Sequence, residues 1–254
     1  MAKKQTYFGK HFDKLKGDDV PREKIIVDPL VKKEYEEGKL LLINKDLHWT
    51  SFDAVRKIRG ALQIKKVGHA GTLDPLATGL LIICTGKFTK KINEYMAQEK
   101  EYTGSFTLGA LTPTYDLESE PEQQKDFSFV TDDLLCQTTK QFIGEIDQFP
   151  PIYSAIKKEG VALYELARRG KDIELESRRI TITQFEITKI ELPVVHFRVV
   201  CGTGTYIRSL ANDFGAALGC GAYLSSLCRT RIGEYTLEQS VRVAEFLDSL
   251  KVKS

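Results

Sequence analysis

The stretch GHAGTLDPLATGLLIICTG, residues 68–86, decides how this chain is read. Its first half is loop-like, with glycines at 68, 71 and 79. Its second half holds LLIIC at 80–84, an apolar run of the length expected for a buried strand. Between them stand Asp74 and Pro75. An Asp-Pro pair inside a glycine-bounded loop is, on local pattern alone, a turn or a helix cap with proline at the first helical position. Two features point beyond that. Glycines on both sides let a backbone approach a ligand closely, and the loop lies between two apolar segments, the usual setting for a functional loop on a rigid scaffold.

Upstream, LLLIN at 40–44 predicts a short buried strand. Thr50 or Ser51 then caps a helix over 52–62, with Phe52, Val55, Ile58 and Leu62 on its apolar face. Residues 1–35 are charged and weakly periodic, and read as a charged N-terminal extension draped on the surface or poorly ordered. Downstream, a helix is expected over 87–98. In EYTGSFTLG (101–109), Tyr102, Phe106 and Leu108 alternate onto one face of a half-buried strand. Residues 112–127 are acidic, carry two prolines and lack periodicity, which predicts a long surface loop. The double proline at 150–151 breaks the chain, an extended piece follows, and 161–169 reads as helical. Strands are expected at 180–190 and 194–201, a helix at 206–218 with Ile207, Leu210, Ala211, Phe214 and Leu218 inward, and a final helix at 241–250. Strands and helices in no strict alternation imply an α+β fold around a mixed sheet.

Composition sets outer limits. With 254 residues, 42% hydrophobic and 28% charged, the chain suits one ordinary globular domain with room for an insertion. No apolar run has the length of a membrane span, and the polar N-terminus has no secretory core, so a cytoplasmic protein is expected. The net charge of +2 leaves nucleic-acid binding undecided, because one basic face can coexist with a neutral remainder. Cys84, Cys136, Cys201, Cys220 and Cys228 form an odd set without a C-x-x-C pair, and read as reduced thiols. The histidines at 11, 48, 69 and 196 are scattered, so no metal is expected. GTG at 202–204 lacks the third glycine of a dinucleotide fingerprint, Ile207 standing in its place.

The string GHAGTLDPLATGLL resembles the signature loop of the TruB family of pseudouridine synthases. PPIYSAIKKEGVALYELARRG (150–170) resembles that family's second conserved stretch, and CGTGTYIRSLANDFGAALGCGAYLSSLCRTRIGEY (201–235) its third. The resemblance runs from about residue 40 to about 241, with the motifs in family order. It implies the pseudouridine synthase fold, a mixed and mainly antiparallel sheet with flanking helices and a thumb-like insertion at about 150–175. It also implies an isomerase for the uridine at position 55 in the T-loop of transfer RNA. The enzyme would cut the N1–C1′ bond, rotate the base and rejoin it through C5. No redox change or hydrolysis occurs, so no cofactor is implied.

By the same resemblance, Asp74 is the catalytic carboxylate, either as nucleophile at C1′ or as base at C2′, and Arg208 is its ion-pair partner. Reaching a base inside a folded loop requires flipping it out of its stack. Tyr102 matches the tyrosine that stacks on the target uracil, Tyr206 and Leu227 match base-pocket positions, and His69 matches the residue that fills the vacated space. Lys45, Lys90 and Asp116 match polar positions near the site. Lys157, Lys158, Arg168, Arg169 and Lys171, in the thumb stretch, are candidate RNA contacts. Without the resemblance, Arg208 reads as a solvated helix residue, Tyr102 as a core tyrosine, His69 as an ordinary loop histidine and the basic stretch as a solvated face.

Two departures from the family pattern stand out. After its first strand the family usually has Lys-Pro-x-Gly-x-Thr-Ser, and here KDLHWTS (45–51) puts Asp46 and His48 where proline and glycine are common. Eighteen residues follow Thr236, fewer than the roughly 50 at which small domains begin to fold alone, so no C-terminal PUA module is expected. The expectation is a single catalytic domain over 36–254, working as a monomer on the T-arm of tRNA without guide RNA or protein partner. Two other readings compete with it: a tRNA-binding protein that remodels RNA without modifying it, and a small-molecule nucleotide enzyme. Asp74, Tyr102 and Arg208 together favour the enzyme over the binder, and a tRNA-folding role can accompany catalysis. The nucleotide enzyme lacks a phosphate-binding loop.

Overall fold

The computed structural model describes residues 26–154, 157–158, 161–162 and 175–251. Helix α1 (Pro29–Glu37), strand β1 (Leu40–Lys45), α2 (Ser51–Leu62), β2 (Val67–His69) and β3 (Ala77–Thr85) come first. A 3-10 segment (Gly86–Lys91) leads into α3 (Ile92–Met96), followed by β4 (Lys100–Leu108), α4 (Asp132–Thr139) and β5 (Gly144–Gln148). Next are β6 (Lys157–Lys158), β7 (Val161–Ala162), β8 (Arg178–Glu191), β9 (Val194–Cys201), α5 (Ile207–Leu218) and β10 (Ala222–Ile232). The last elements are β11 (Tyr235–Thr236), β12 (Val241–Arg242) and α6 (Val243–Ser249). The chain divides into two compact units, Met1–Met96 with Tyr235–Ser254, and Ala97–Glu234.

In the first unit, β12 runs parallel to β1, β1 is antiparallel to β3, and β2 is antiparallel to β3. Helix α2 begins with a capping box: Thr50 Oγ1 accepts from Asp53 N–H at 3.0 Å and Asp53 Oδ2 accepts from Thr50 N–H at 3.0 Å. Its buried face, Ala54, Val55, Ile58 and Leu62, packs in one core with Ile43, Leu81 and Ile83 from the strands and Val243, Phe246 and Leu247 from α6. Each such large aliphatic contributes about 1.5–3 kcal/mol by leaving water.

The second unit is an antiparallel ladder in the order β10-β4-β9-β8-β5. Its core is aromatic. Phe106 stacks on Phe197 at 4.2 Å between ring centroids, and Phe185 and Phe214 close around them. Phe214 comes from α5, which lies against β10 closely enough that a Cβ on Gly215 would collide with the backbone of Ala222. Helix α5 ends at Gly219, whose φ of 84° is the left-handed conformation glycine adopts without strain. Flanking helices on mainly antiparallel strands, made mixed by the parallel β1–β12 pair, are the α+β class the sequence predicts.

Several local expectations need correction. Phe52 is 57% exposed, because at about 100° per residue it lies roughly 100° from the centre of the stripe Ser51, Ala54, Val55, Ile58 and Leu62. The helix expected over 87–98 is a 3-10 segment followed by one short α-helical stretch. Within the expected extension, residues 29–37 form α1, capped by the Asp28 side chain and opened by Pro29, while residues 1–25 lie outside the described residues. Val161 and Ala162, expected in a helix, are extended and pair with Lys158 and Lys157. Loop 112–127 is irregular as expected, yet Thr112, Thr114 and Asp116 are buried. Thr114 and Asp116 are polar residues inside because a buried charge elsewhere in this unit needs them, which hydropathy cannot register.

Candidate active site

The Asp74 loop is built within the first unit. Asp74 is half-buried in the turn that enters β3. The residue before it, Leu73, is gripped by one hydroxyl: Ser51 Oγ accepts from Leu73 N–H at 2.8 Å and donates to Leu73 O at 3.2 Å. Beyond Asp74, Pro75 O accepts from His48 N–H at 2.8 Å, and Asp74 O accepts from Ala77 N–H at 3.0 Å. The main chain is thus held at 73, 74 and 75. Ser51 is 2% exposed, so the grip is shielded from water.

The 45–49 turn is bonded to this loop through His48. Lys45 is fully buried, and its ammonium donates to Asp46 O at 2.9 Å and Trp49 O at 2.6 Å. His48, which stands where the family commonly has glycine, takes φ of 66°, the left-handed region that glycine enters freely and other residues adopt uncommonly. His69 ends β2, half-buried and opposite Ile83 of β3. Lys90 is exposed in the 3-10 segment.

The second unit holds a buried charge cluster. Arg208, on the first turn of α5, is 4% exposed, which removes its reading as a solvated helix residue. Its Nε lies 3.7 Å from Asp116 Oδ2, Nη1 donates to Thr114 O at 3.3 Å, and Nη2 donates to Tyr153 O at 3.1 Å. Asp116 is 3% exposed, and its Oδ1 accepts from Thr114 Oγ1 at 2.6 Å and Glu118 N–H at 2.9 Å. Thr112 Oγ1 and Ser154 Oγ, on the same two segments, are buried without a hydrogen-bond partner among the described residues. A guanidinium and a carboxylate so sealed are oriented by main chain and by each other. Further along α5, burial raises the Asp213 carboxyl above its ordinary range.

Tyr102 lies half-buried on β4, between Arg229 of β10 and Val199 of β9. It is the least covered of the row Tyr102, Phe106 and Leu108, so it belongs neither to the core proper nor to open solvent. Leu227 pairs with Gly104, placing its side chain on the same face as Tyr102, and it is buried. Arg229 on that face is 1% exposed; burial first, and the Arg229 charge second, lower the Lys100 ammonium below its ordinary value. Tyr206 is the N-cap residue of α5, with no side-chain cap. Lys157 and Lys158 lie on β6, where the backbone alone is described, and Arg168, Arg169 and Lys171 lie outside the described residues.

The structure also shows residues that the sequence reading missed: Ser51, Thr114, Gln148 and Arg229. Ser51 and Gln148 each bond main-chain groups of a residue near a predicted site position, and only the polar-at-an-element-end pattern hints at them. Among the described residues no group of His, Cys, Asp and Glu could hold a metal ion, and no helix is long and apolar enough to cross a membrane.

Solved structures include chains with this architecture. A Cbf5-Nop10-Gar1 complex contains a chain matched over 91% of this one and 64% of its own length, with TM-score 0.67 and 28% identity. The archaeal box H/ACA sRNP Nop10-Cbf5 complex gives TM-score 0.63 at 26% identity, over 89% of this chain and 60% of that one. The chain thus spans under two thirds of those solved chains. The profile of the TruB family pseudouridylate synthase N-terminal domain matches residues 59–207, and that of the tRNA pseudouridylate synthase B C-terminal domain matches 208–254. This chain belongs to the TruB family. It is 56% identical to the tRNA pseudouridine synthase B of Flavobacterium johnsoniae, over 87% of this chain and 100% of that protein. The protein of that name from Parabacteroides distasonis is 48% identical over 86% of this chain and 95% of its own.

Proposed function

We infer that this chain is a tRNA pseudouridine synthase, converting uridine 55 of the T-loop to pseudouridine. The observation that carries the reading is the match over the whole length of the F. johnsoniae tRNA pseudouridine synthase B at 56% identity. The geometry suits the chemistry. A reaction that breaks and remakes one glycosidic bond needs a single ionised carboxylate held at the sugar, and Asp74 sits on a backbone fixed at three consecutive residues. It acts at C1′ as nucleophile or at C2′ as base.

Arg208 supplies fixed positive charge near the developing anion, and Asp116 holds the guanidinium in orientation. The flipped uracil stacks on Tyr102, Tyr206 and Leu227 line its pocket, and His69 fills the place it leaves. Lys45 and Lys90 serve the site's surroundings, Lys45 by fixing the turn bonded to the loop. Lys157, Lys158, Arg168, Arg169 and Lys171 contact backbone phosphates of the T-arm. The enzyme acts in the cytoplasm as a monomer, with no guide RNA. Incubation with unmodified tRNA, followed by carbodiimide mapping of pseudouridine, tests the reading. Asp74→Asn is expected to bind tRNA and form no product; turnover by that variant removes Asp74 from its role.

A further inference from the structure

We propose that Gln148 is a positioning residue for Arg208, acting through the main chain of Tyr206. The inference rests on the isomerase activity inferred above. Gln148 ends β5 and is 2% exposed. Its amide meets both main-chain polar groups of one residue: Oε1 accepts from Tyr206 N–H at 2.8 Å, and Nε2 donates to Tyr206 O at 3.1 Å. The side chain thus substitutes for a strand partner at the point where α5 starts.

No side chain of its own caps that point. Tyr206 is the N-cap of α5, is extended with φ −102° and ψ 111°, and has no side-chain cap. Its carbonyl also accepts the first helical bond, from Leu210 N–H at 3.0 Å, so both lone pairs are engaged. Arg208 is two residues on. Two more bonds join the same segments, Ser209 Oγ to Phe149 O at 2.8 Å and Arg208 Nη2 to Tyr153 O at 3.1 Å. Residues 206, 208 and 209 are therefore stitched to 148, 149 and 153, and Gln148 is the anchor nearest the helix start. Only a side chain of this length carrying both a donor and an acceptor closes the double bond to Tyr206. Losing it frees the first turn of α5 to shift, and a displacement of about 1 Å at a catalytic group costs on the order of 100-fold in rate.

The bland alternative is that Gln148 only satisfies buried polar groups and stabilises the fold. The two roles separate in kinetics. Gln148→Met keeps the length and apolar stem and deletes both bonds. We expect its single-turnover rate of pseudouridine formation to fall about 100-fold, with the tRNA dissociation constant changed less than about threefold. The Arg208 Nε–H resonance should shift or broaden in the same variant. An unchanged rate, or a rate and affinity that fall together in step with thermal stability, overturns the proposal. If Gln148→Met does not fold, Gln148→Asn carries the same readout, because it retains both groups but moves their reach by one methylene. Wild-type protein that makes no pseudouridine in the assay would instead overturn the activity itself, so the two failures are told apart.

Discussion

Asp116→Ala should destabilise the second unit strongly, and the size of the effect follows from burial. Asp116 Oδ2 and Arg208 Nε are 3.7 Å apart, with side chains 4% and 5% exposed. At an effective dielectric constant of about 20, their attraction is about 4.5 kcal/mol. Removing the carboxylate breaks the buried pair from one side and leaves the guanidinium without Asp116, a change that costs about 3–5 kcal/mol. At about 2–4 °C per kcal/mol for a chain of this size, the melting temperature should fall by roughly 6–20 °C. Asp116→Asn keeps an acceptor for Thr114 Oγ1 and Glu118 N–H, so it should fall less than the alanine variant by about 1 kcal/mol for each retained bond. Calorimetry with far-UV circular dichroism is the assay. The one tryptophan, Trp49, lies in the first unit and would report on the wrong region. The double variant Asp116→Ala with Arg208→Met removes both charges and should be more stable than Asp116→Ala alone. A single-variant shift under about 2 °C, or a double variant less stable than the single, would refute the pairing.

Two further outcomes are expected. Tyr102→Ala should lower kcat/KM for tRNA by about 5- to 150-fold through lost base stacking, and unchanged kinetics would mean that another aromatic receives the base. Burial holds the Cys84 and Cys201 thiols up at about 11, against an unfolded value of 9.0. Between those values the unfolded chain releases thiol protons that the native chain keeps, so stability falls as pH rises from 9 toward 11. Replacing both cysteines by alanine should flatten that alkaline limb in urea titrations, and an identical slope would show that other groups produce it.

The parts of this fold legible in the sequence were those governed by apolar periodicity. The strand at 40–44, the buried run at 80–84 and the inward face of α5 follow from a hydrophobic pattern that packing preserves. Strand β10 escaped notice because its inward positions include Arg229, and a buried arginine breaks the alternation that marks a strand. Loop 112–127 looked like surface because it is polar, yet its polarity is what Arg208 requires. Asp74 was readable only as a turn from its neighbours, since Ser51, the residue that grips Leu73, stands 22 positions away from it. Distances of that kind are set by tertiary structure, and no local window contains them.

The two anchors share a logic. Ser51 takes both main-chain groups of Leu73, the residue before Asp74, and Gln148 takes both of Tyr206, two before Arg208. In each case one side chain, 2% exposed, fixes a backbone segment through its peptide groups. A loop carboxylate would otherwise sample several orientations, and the first turn of an uncapped helix would fray. On the proposed reaction, the precision of Asp74 and of Arg208 comes from the groups that hold each of them within its own unit. Shielded hydrogen bonds to main-chain groups contribute to that precision. Ser51 and Gln148 therefore contribute to the placement of the proposed catalytic residues through the backbone on which those residues stand. The Gln148→Met rate measurement reads the strength of that hold directly.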